Sequence, residues 1–387
     1  MTKKDSVTYP LTKEQQLIQT MVREFARKVV LPSAAERDRT KAFPKENLQQ
    51  MAELGLMGMM VPTAYGGEEA DTVSYVLALT EIAYACASTA VIMSVHNSIA
   101  CESIASFGSE FQKKTFLEPM CEGRMIGAFA LTEPDAGSDP AAQEATADRR
   151  GDEYVISGTK RFITSGKNGG VVIVTAKTDP TQKHKGISAF IVPQGTPGMS
   201  VGRAEEKIGL RASDTVDLIF DDCRVPADHL LGREGDGFRI AMKALDCGRI
   251  GIAAQSVGVA QAALDNVVGY TKKRSQFGQK ISRFQAIRFA IADMAVDIEA
   301  AKQLLFSAAA ARDRGERFTL KAATAKLFAS EMVNRVTAQA IQLHGGYGVI
   351  QEYPLERYYR DARVFTIYEG TSEIQRVVIS NEIFKDK

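Results

Sequence analysis

The apolar positions of residues 11–31 recur with helical spacing. Lys, Glu and Arg stand between apolar side chains that lie three and four residues apart, at Leu17, Ile18, Met21, Val22, Phe25, Val29 and Val30. This pattern predicts an amphipathic helix, and we expect Pro32 to end it. Similar patterns predict further helices near residues 45–57, 73–107 and 110–122, so the first third of the chain is expected to be mostly helical.

The pattern changes near residue 125 to short runs rich in β-branched and aromatic residues. Gly, Pro and Asp separate these runs, which read RMIGAFALTEP, DEYVISGTKRFIT, GVVIVTAKT, GISAFIVPQ and VDLIFDDCRVP. Such runs predict strands, and the lack of helical segments between them predicts an antiparallel sheet rather than a βαβ succession. After GREGDGF at 232–238, interpreted as a linker, the helical period returns to about residue 344, and a last helix is predicted near 372–385.

These stretches predict an α+β protein with three domains. We expect an N-terminal helical domain at 1–124, a middle antiparallel β-sheet domain at 125–235 and a C-terminal helical domain at 236–387. The chain has 387 residues, of which 45% are hydrophobic, so it can bury a large core. Lys and Arg number 48 against 47 Asp and Glu, and this balance gives no net field to attract nucleic acid or an anionic membrane.

Several kinds of site and segment are not predicted. No run of 18 apolar residues suggests a membrane span, and the N-terminus lacks a signal-peptide pattern. The histidines lack metal-ligand spacing, and the glycine-rich GREGDGF and HGGYG (344–348) do not follow a strand inside a βαβ unit, so neither a metal site nor a Rossmann site is expected. A reducing cytoplasm is favoured because the cysteines are odd in number and have no C-x-x-C spacing, at Cys86, Cys101, Cys121, Cys223 and Cys247.

One carboxylate, Glu369, stands between the apolar run 364–368 and Gly370. An ionised carboxylate is costly to bury unless it is paired, so the position predicts a helix cap, an ion pair or a working acid or base. Ser372 and Gln375 match the S-x-x-Q pattern of a capping box, which we expect to begin the last helix. Since that cap does not need Glu369, the catalytic interpretation is favoured.

A set of motifs, in order along the chain, resembles the acyl-CoA dehydrogenases. They are AFALTEPDAGSD (128–139), KRFITSG (160–166), LDCGRIGIAAQ (245–255), KKRSQFGQKISRFQA (272–286), QLHGGYGV (342–349) and IYEGTSEIQR (367–376). The likeness covers essentially the whole chain, and LDCGRIGIA and STAVIMSVHNS are most similar to the short-chain, butyryl-CoA type. The resemblance implies bound FAD, a C-terminal four-helix bundle, a homotetramer arranged as a dimer of dimers, and an electron-transferring flavoprotein as acceptor.

The resemblance also implies a role for individual residues. Glu369 would remove the α-proton of a short-chain acyl-CoA while hydride passes to flavin N5, giving the trans-2-enoyl-CoA. Related groups carry the base at the position of Gly248, where this chain has no acid. Acyl-CoA contacts are implied for Ser138, Asp246, Arg249 and Gly370. FAD contacts are implied for Phe129, Leu131, Thr132, Ser138, Phe162, Thr164, Arg274, Phe277, Gln285, Gln342, Gly346, Thr371 and Glu373.

Each of these motifs also has a physical interpretation. Phe162 and Thr164 would share one face of a strand, where they could contact a flavin or simply form core and rim. Arg274 can grip a pyrophosphate with two hydrogen bonds, as lysine cannot, and by resemblance it reaches the FAD of a neighbouring subunit. Asp246 and Arg249 could instead be an ordinary helical ion pair at i, i+3.

Alternative functions remain open at this point. An acyl-CoA oxidase, a dehydrogenase of branched or cyclic acyl-CoA, an enoyl-CoA reductase and a flavin-bearing nucleic-acid-binding relative share this pattern. The chain length disfavours the oxidase, and the neutral charge disfavours nucleic-acid binding. Val95, His96 and Asn97 are expected at the floor of the acyl pocket, but residue names do not reveal acyl-chain length, because one methylene changes binding by only about 1–3 kcal/mol.

Overall fold

The N-terminal part of the protein is helical. A computed structural model describes residues 9–385. Its first α-helices are α1 Lys13–Phe25, α2 Leu31–Thr40, α3 Lys45–Glu53, α4 Thr72–Ala85, α5 Ala87–Ser94, α6 Glu102–Phe107, α7 Glu110–Gln112 and α8 Glu118–Cys121. The π-helical segments Ala26–Val30, Val95–Cys101 and Lys113–Leu117 join α1 to α2, α5 to α6 and α7 to α8 without a break. These segments make the N-terminal helices longer and more continuous than their α-helical bounds indicate.

The first helix does not end at Pro32, and that prediction was wrong. The π-helical segment after α1 leads directly into α2, and the Leu31 N–H donates to the Ala26 carbonyl across the wider turn. Pro32 therefore falls in the first turn of α2, where a missing N–H costs little and the fixed φ of proline suits a helix. The helical path continues to Thr40 and ends with Lys41 in the left-handed conformation.

The middle part is a single mixed sheet. Its strands are β1 Gly127–Ala130, β2 Thr146–Arg150, β3 Glu153–Thr164, β4 Val171–Lys177, β5 Ile187–Pro193, β6 Met199–Ala204, β7 Thr215–Pro226 and β8 Leu230–Leu231. They run in the order β6-β7-β3-β2-β4-β5-β8, and β1 pairs with β4. The sheet is mainly antiparallel, as predicted, but β1 and β2 each run parallel to β4.

The C-terminal part is helical, with one short hairpin between its first two helices. Its elements are α9 Gly237–Lys273, β9 Ser275–Gln276, β10 Gln279–Lys280, α10 Gln285–Asp313, α11 Thr319–His344, α12 Leu355–Phe365 and α13 Ser372–Ile383. Helices α9, α10 and α11 pack on one another, and α11 also packs on α12 and α13. The pattern analysis did not predict α12.

One apolar core joins the two helical parts. Helix α4 packs along α9, so side chains from both ends of the chain fill the same core. The sheet has its own core on one face, and a further cluster connects its other face to α6 and α8. Within residues 9–385, no helix has the length and apolar character needed to cross a bilayer. The turn between α12 and α13, which carries Glu369, lies against α9 at Gly248 and against α11 at Lys326.

Candidate active site

Glu369 lies in a left-handed turn between α12 and α13. The φ angle is +53° at Glu369 and +94° at Gly370. A left-handed residue other than glycine costs about 1–2 kcal/mol, so surrounding contacts must hold it. The side-chain amide of Gln375 donates to the carbonyls of Glu369 (3.3 Å) and Gly370 (2.9 Å), and the Ser372 N–H donates to the Thr366 carbonyl at 3.0 Å. The turn is thus fixed by its own neighbours.

The predicted Ser372–Gln375 capping box is wrong. Thr371 is the N-cap of α13, and its hydroxyl accepts from the Ile374 N–H at 3.3 Å. Gln375 cannot close a box because its amide is occupied by the carbonyls of the Glu369 turn. The left-handed turn moves the cap one residue towards the N-terminus and leaves Ser372 buried inside the first helical turn.

The Glu369 carboxylate is buried although the residue as a whole is only half-buried. Neither of its oxygens has a hydrogen-bond partner among the described residues. It faces Gly248 of α9 so closely that a Cβ at Gly248 would overlap Oε2. Burial raises the pKa of Glu369 to about 7, while the charges of Lys326 and Arg249 oppose the rise. A carboxylate with this pKa can accept a proton near neutral pH.

Asp246 and Arg249 form an ion pair beside this carboxylate. Arg249 Nη1 donates to Asp246 Oδ1 at 2.7 Å, and Thr319 donates to the other oxygen of Asp246 at 2.6 Å. Arg249 is only 5% exposed, and its Nε is buried without a hydrogen-bond partner among the described residues. Asp246 and Arg249 thus form the helical ion pair at i, i+3, but the pair is largely buried. Arg249 also lies close enough to Glu369 for its charge to act on the carboxylate.

The sequence analysis missed a buried lysine in this site. Lys326 of α11 donates from Nζ to the Gly370 carbonyl at 2.8 Å. The sequence did contain a signal for this residue. Lys326 shares one helical face with the apolar residues Ala322, Ala329 and Val333, all of which are buried. A lone charge on the core face of a helix indicates a paired or working group.

The residues implied at the end of β1 meet β3. The carbonyls of Leu131 and Thr132 are already occupied, by Lys160 Nζ at 3.1 Å and the Arg161 N–H at 2.8 Å. Only their other polar groups are left for a ligand. Phe129 is half-buried, and Ser138 is exposed on the loop that follows.

Phe162 and Thr164 do not follow the regular alternation on which their prediction rested. A β-bulge interrupts the pairing of β3 with β7 between Lys160 and Ile163, and Phe162 has a φ of +59°. The bulge leaves the Phe162 ring 55% exposed and Thr164 half-buried beside it. A large ring that projects from a strained backbone is typical of a ligand contact.

A separate cavity of about 530 Å³ lies at the end of α9. Arg274, Gln342 and Gly346 line it together, and the Arg274 guanidinium lies over the Tyr347 ring at 5.5 Å. Phe277, in the turn of the β9–β10 hairpin, is 92% exposed and is not in this lining. Gln285, exposed at the start of α10, is not in the lining either. The structure thus places Arg249 near Glu369, and it places Arg274, Gln342 and Gly346 together at this cavity.

The residues at the β3 bulge and the residues at the cavity each suit one part of FAD. The projecting Phe162 ring and the Thr164 hydroxyl suit a flat polar ring system. The Arg274 guanidinium, the Gln342 amide and the open backbone at Gly346 suit a pyrophosphate. Within residues 9–385, no group of His, Cys, Asp and Glu side chains is arranged to hold a metal ion.

His96 and Asn97 hold the fold together and do not face the Glu369 carboxylate. His96 Nδ1 accepts from the Gly127 N–H at 2.9 Å, so its Nε2 carries the proton and donates to the Met57 carbonyl at 2.8 Å. Asn97 bonds to the backbones of Leu56, Met59 and Met93.

Different residues approach α9 beside Glu369. Ile99 packs at Gly248, and the Ser94 hydroxyl packs at Gly251 with the Tyr75 hydroxyl nearby. The hydroxyls of Ser94 and Tyr75 are buried without partners among the described residues. The polar groups of His96 and Asn97 are thus used by the fold, and Ile99, Ser94 and Tyr75 are the residues of this region that lie near α9 at Gly248 and Gly251.

Family models match almost the entire chain. The acyl-CoA dehydrogenase N-terminal domain matches residues 12–124, the middle domain matches residues 128–223 and the C-terminal domain matches residues 235–384. Together these matches cover all three parts of the structure, including the turn at Glu369.

Individual relatives are similar over the same length. A Clostridium acetobutylicum protein described as "Acyl-CoA dehydrogenase, short-chain specific" is 47% identical over 97% of this chain and 100% of its own length. An "Acryloyl-CoA reductase (NADH)" of Anaerotignum propionicum is 48% identical over 97% of this chain and 96% of its own length. The structure of butyryl-CoA dehydrogenase from Megasphaera elsdenii superposes with a TM-score of 0.96 at 42% identity, over 98% of this chain and 100% of that chain.

Proposed function

The chain belongs to the acyl-CoA dehydrogenase family, and we propose that it catalyses the FAD-dependent α,β-dehydrogenation of a short-chain acyl-CoA thioester to the trans-2-enoyl-CoA. The observation that carries this proposal is the buried, unpartnered carboxylate of Glu369 beside Gly248. A carboxylate that only capped a helix or closed a salt bridge would have a hydrogen-bond partner, and the Glu369 oxygens have none among the described residues.

Glu369 is the base that removes the α-proton. Its pKa of about 7 makes it ionised in part at neutral pH and basic enough to accept a proton, as general-base catalysis requires. Substrate that covers the turn excludes water and favours proton uptake further. The lack of a side chain at Gly248 leaves room for the carboxylate against α9.

The thioester oxygen is held at the same turn. By resemblance, the backbone N–H of Glu369 donates to this oxygen, and the left-handed conformation of Glu369 sets the direction of that N–H. One such donor contributes about 3–4 kcal/mol of transition-state stabilisation. Arg249 and Asp246 bind and orient the acyl-CoA from α9, Gly370 allows its close approach to the turn, and Ser138 contributes from the loop after β1.

FAD, when bound, supplies the hydride acceptor at flavin N5. The flavin ring would be held by Phe162, Thr164, Phe129, Leu131, Thr132, Ser138, Thr371 and Glu373. The pyrophosphate and adenosine part of FAD in a neighbouring subunit would be bound by Arg274, Phe277, Gln285, Gln342 and Gly346.

Assembly and electron transfer follow the family pattern in this proposal. Exposed apolar side chains on the C-terminal helices, Phe289, Val296, Val377, Ile383 and Phe384, are suited to contacts between subunits of a homotetramer. An electron-transferring flavoprotein takes the electrons from the reduced protein. The five cysteines are free and buried, which suits a reducing cytoplasm.

A panel of acyl-CoA thioesters tests the proposed function. The FAD-loaded protein is mixed with propionyl-, butyryl-, hexanoyl-, isobutyryl- and cyclohexanecarbonyl-CoA and a dye acceptor, and the enoyl-CoA product is measured. Butyryl-CoA is expected to give the highest kcat/KM. Failure to form enoyl-CoA from any of the thioesters would contradict the proposal, and peroxide formation in air without dye would indicate an oxidase.

The reverse reaction is the second candidate. The similarity to a protein described as an acryloyl-CoA reductase favours it. Crotonyl-CoA or acryloyl-CoA is mixed with the protein and a reduced dye of low potential, and saturated acyl-CoA is measured. Faster reduction than dehydrogenation at matched driving force would favour the reductase over the dehydrogenase.

A further inference from the structure

Lys326 is a buried cation that the mechanism above does not use. Its side chain has an exposure of 0%, and Nζ makes its hydrogen bond to a neutral carbonyl, that of Gly370. Burying an ammonium costs several kcal/mol unless an opposite charge compensates it. Methionine would fill a similar volume at that position without this cost, so the charge itself requires an explanation.

The Glu369 carboxylate lies next to this cation and compensates it in part, because Glu369 directly precedes Gly370, whose carbonyl accepts from Lys326 Nζ. Burial lowers the pKa of Lys326 to about 8, and the attraction of Glu369 opposes this fall. The same attraction opposes the rise in the pKa of Glu369. The carboxylate oxygens have no hydrogen-bond partner among the described residues. The attraction between the two charges therefore acts without a direct hydrogen bond.

Lys326 also fixes the backbone of the turn. The Gly370 carbonyl accepts from Lys326 Nζ at 2.8 Å and from the Gln375 amide at 2.9 Å. Two donors on one carbonyl restrain the peptide that follows two left-handed residues, at φ +53° and +94°. Without that restraint the turn can relax, and the Glu369 side chain would move with it.

We propose that Lys326 is a positioning residue for Glu369, whose ammonium both anchors the Gly370 carbonyl and supplies the positive charge that accompanies the catalytic carboxylate. This inference rests on the proposed role of Glu369. The charged and titratable groups that act on Glu369 are Lys326 of α11 and Arg249 of α9, and its own charge acts on Tyr75 of α4 and on Tyr368. Lys326 is further influenced by Arg249, Glu331 and Glu373.

The pH profile of Lys326→Met distinguishes this role from a merely structural one. Loss of the cation should raise the pKa of Glu369, so the acidic limb of kcat/KM should move to higher pH by about one unit. Lys326→Arg keeps the charge and should keep the limb near its wild-type position. Lys321→Met is the matched control, since Lys321 lies on the same helix but is exposed and pairs with Glu316. A rate that falls equally at every pH would overturn the electrostatic role.

A stability cycle tests the same coupling without any assay of activity. The melting temperature is measured at about pH 7.5, between the pKa of Glu369 (about 7) and that of Lys326 (about 8), for Lys326→Met in the wild-type and in the Glu369→Gln background. The loss should be clearly smaller in the Glu369→Gln protein, because no carboxylate is then left without its cation. A double variant that folds when Lys326→Met alone does not would give the same support.

Equal losses in the two backgrounds, or failure of both proteins to fold, would overturn the inference. The cycle also separates this inference from the proposed function. If the wild type oxidised no acyl-CoA but the coupling remained, the function would be wrong and the Lys326–Glu369 pair would stand.

Discussion

The space beside one helical glycine determines whether Glu369 can occupy its site. Gly248 and the carboxylate lie in contact, while Gly370 and Gln375 hold the turn from the other side. The base is therefore positioned by backbone geometry and by the absence of a side chain, and very little by hydrogen bonds to its own oxygens. Small changes around it should affect catalysis more than stability.

Gly248→Ala tests this positioning. The added methyl group would overlap the carboxylate, so we expect kcat/KM to fall about 100-fold, the effect of a displacement near 1 Å. Gly269→Ala is the control on the same helix, because a Cβ there meets nothing within 4 Å. The control should keep full activity and gain about 0.5–1 kcal/mol in free energy of unfolding. Normal activity of Gly248→Ala would show that the carboxylate does not work where the structure puts it.

The pH dependence of kcat/KM should report the ionisation of Glu369 in the free enzyme. Burial raises the pKa to about 7, and only the ionised carboxylate can take a proton. The rate should therefore rise about tenfold per pH unit on the acidic side and level off above about pH 7. Steady-state rates between about pH 5 and pH 9 measure this profile. A profile that is already flat at about pH 5 would mean that the carboxylate keeps an ordinary pKa in the working enzyme.

At the level of helices and strands, hydrophobic spacing predicted most elements but not their junctions. Periodicity located the long strands and the helical stretch up to about residue 344, but it did not divide that stretch into α9, the β9–β10 hairpin, α10 and α11. It could not show that a π-helical turn carries the chain past Pro32, or that a left-handed turn shifts the last cap to Thr371. Those features depend on backbone hydrogen bonds, which leave no periodic trace in the sequence.

The candidate site was predictable to a similar extent. Motif resemblance pointed to Glu369, Arg249 and Arg274 because their sequence neighbourhoods are distinctive. It missed Lys326, whose partners Glu369 and Gly370 are more than 40 residues away along the chain. It also placed His96 on the pocket floor, whereas the fold directs both ring nitrogens to backbone groups.

A buried lysine in the sheet connects β1 and β3 and supports the proposed flavin contacts. Lys160 Nζ bonds to Glu133 at 2.7 Å, to Gln143 at 3.0 Å and to the Leu131 carbonyl at 3.1 Å. Burial lowers the pKa of Lys160 to about 8, and the pairing with Glu133 limits the fall. These hydrogen bonds hold the loop after β1 against β3.

Lys160→Met should loosen this loop and leave Glu133 buried without its cation. We expect a loss of about 3 kcal/mol in free energy of unfolding together with weaker FAD binding. Lys185→Met, at an exposed lysine of the same domain, should change neither quantity. Adding Glu133→Gln to Lys160→Met should restore part of the stability. Denaturation curves and flavin titrations measure both effects, and unchanged FAD affinity would separate the network from the cofactor site.

For the protein as a whole, the near-neutral charge gives no long-range field, so contacts with charged partners are made locally. The candidate cavity at Arg274 and the turn at Glu369 involve different parts of one chain. A dinucleotide cofactor bound between subunits would connect the two kinds of site. Cofactor retention and assembly should then depend on each other.

Arg274→Ala tests that dependence. Loss of the guanidinium should weaken FAD binding at least about tenfold, since a charge-assisted hydrogen bond contributes about 1.5–3 kcal/mol. It should also shift the tetramer towards smaller species. Lys272→Ala, two residues away and exposed, is the control that removes a charge without touching the cavity. Flavin content per chain and mass after gel filtration are measured together, and loss of neither would contradict the intersubunit role.

Catalysis by Glu369 is the claim on which the account depends, and the flavin spectrum of Glu369→Gln tests it most directly. The variant keeps the size of the side chain but removes the base, and Glu352→Gln, at an exposed acid, is the control. Both proteins are loaded with FAD and mixed anaerobically with butyryl-CoA while the flavin absorbance is followed. We expect the control and the wild type to bleach at once, and Glu369→Gln to show a perturbed but unbleached spectrum, with reduction slowed by at least about 1,000-fold. Bleaching of Glu369→Gln at a rate near that of the wild type would contradict the account.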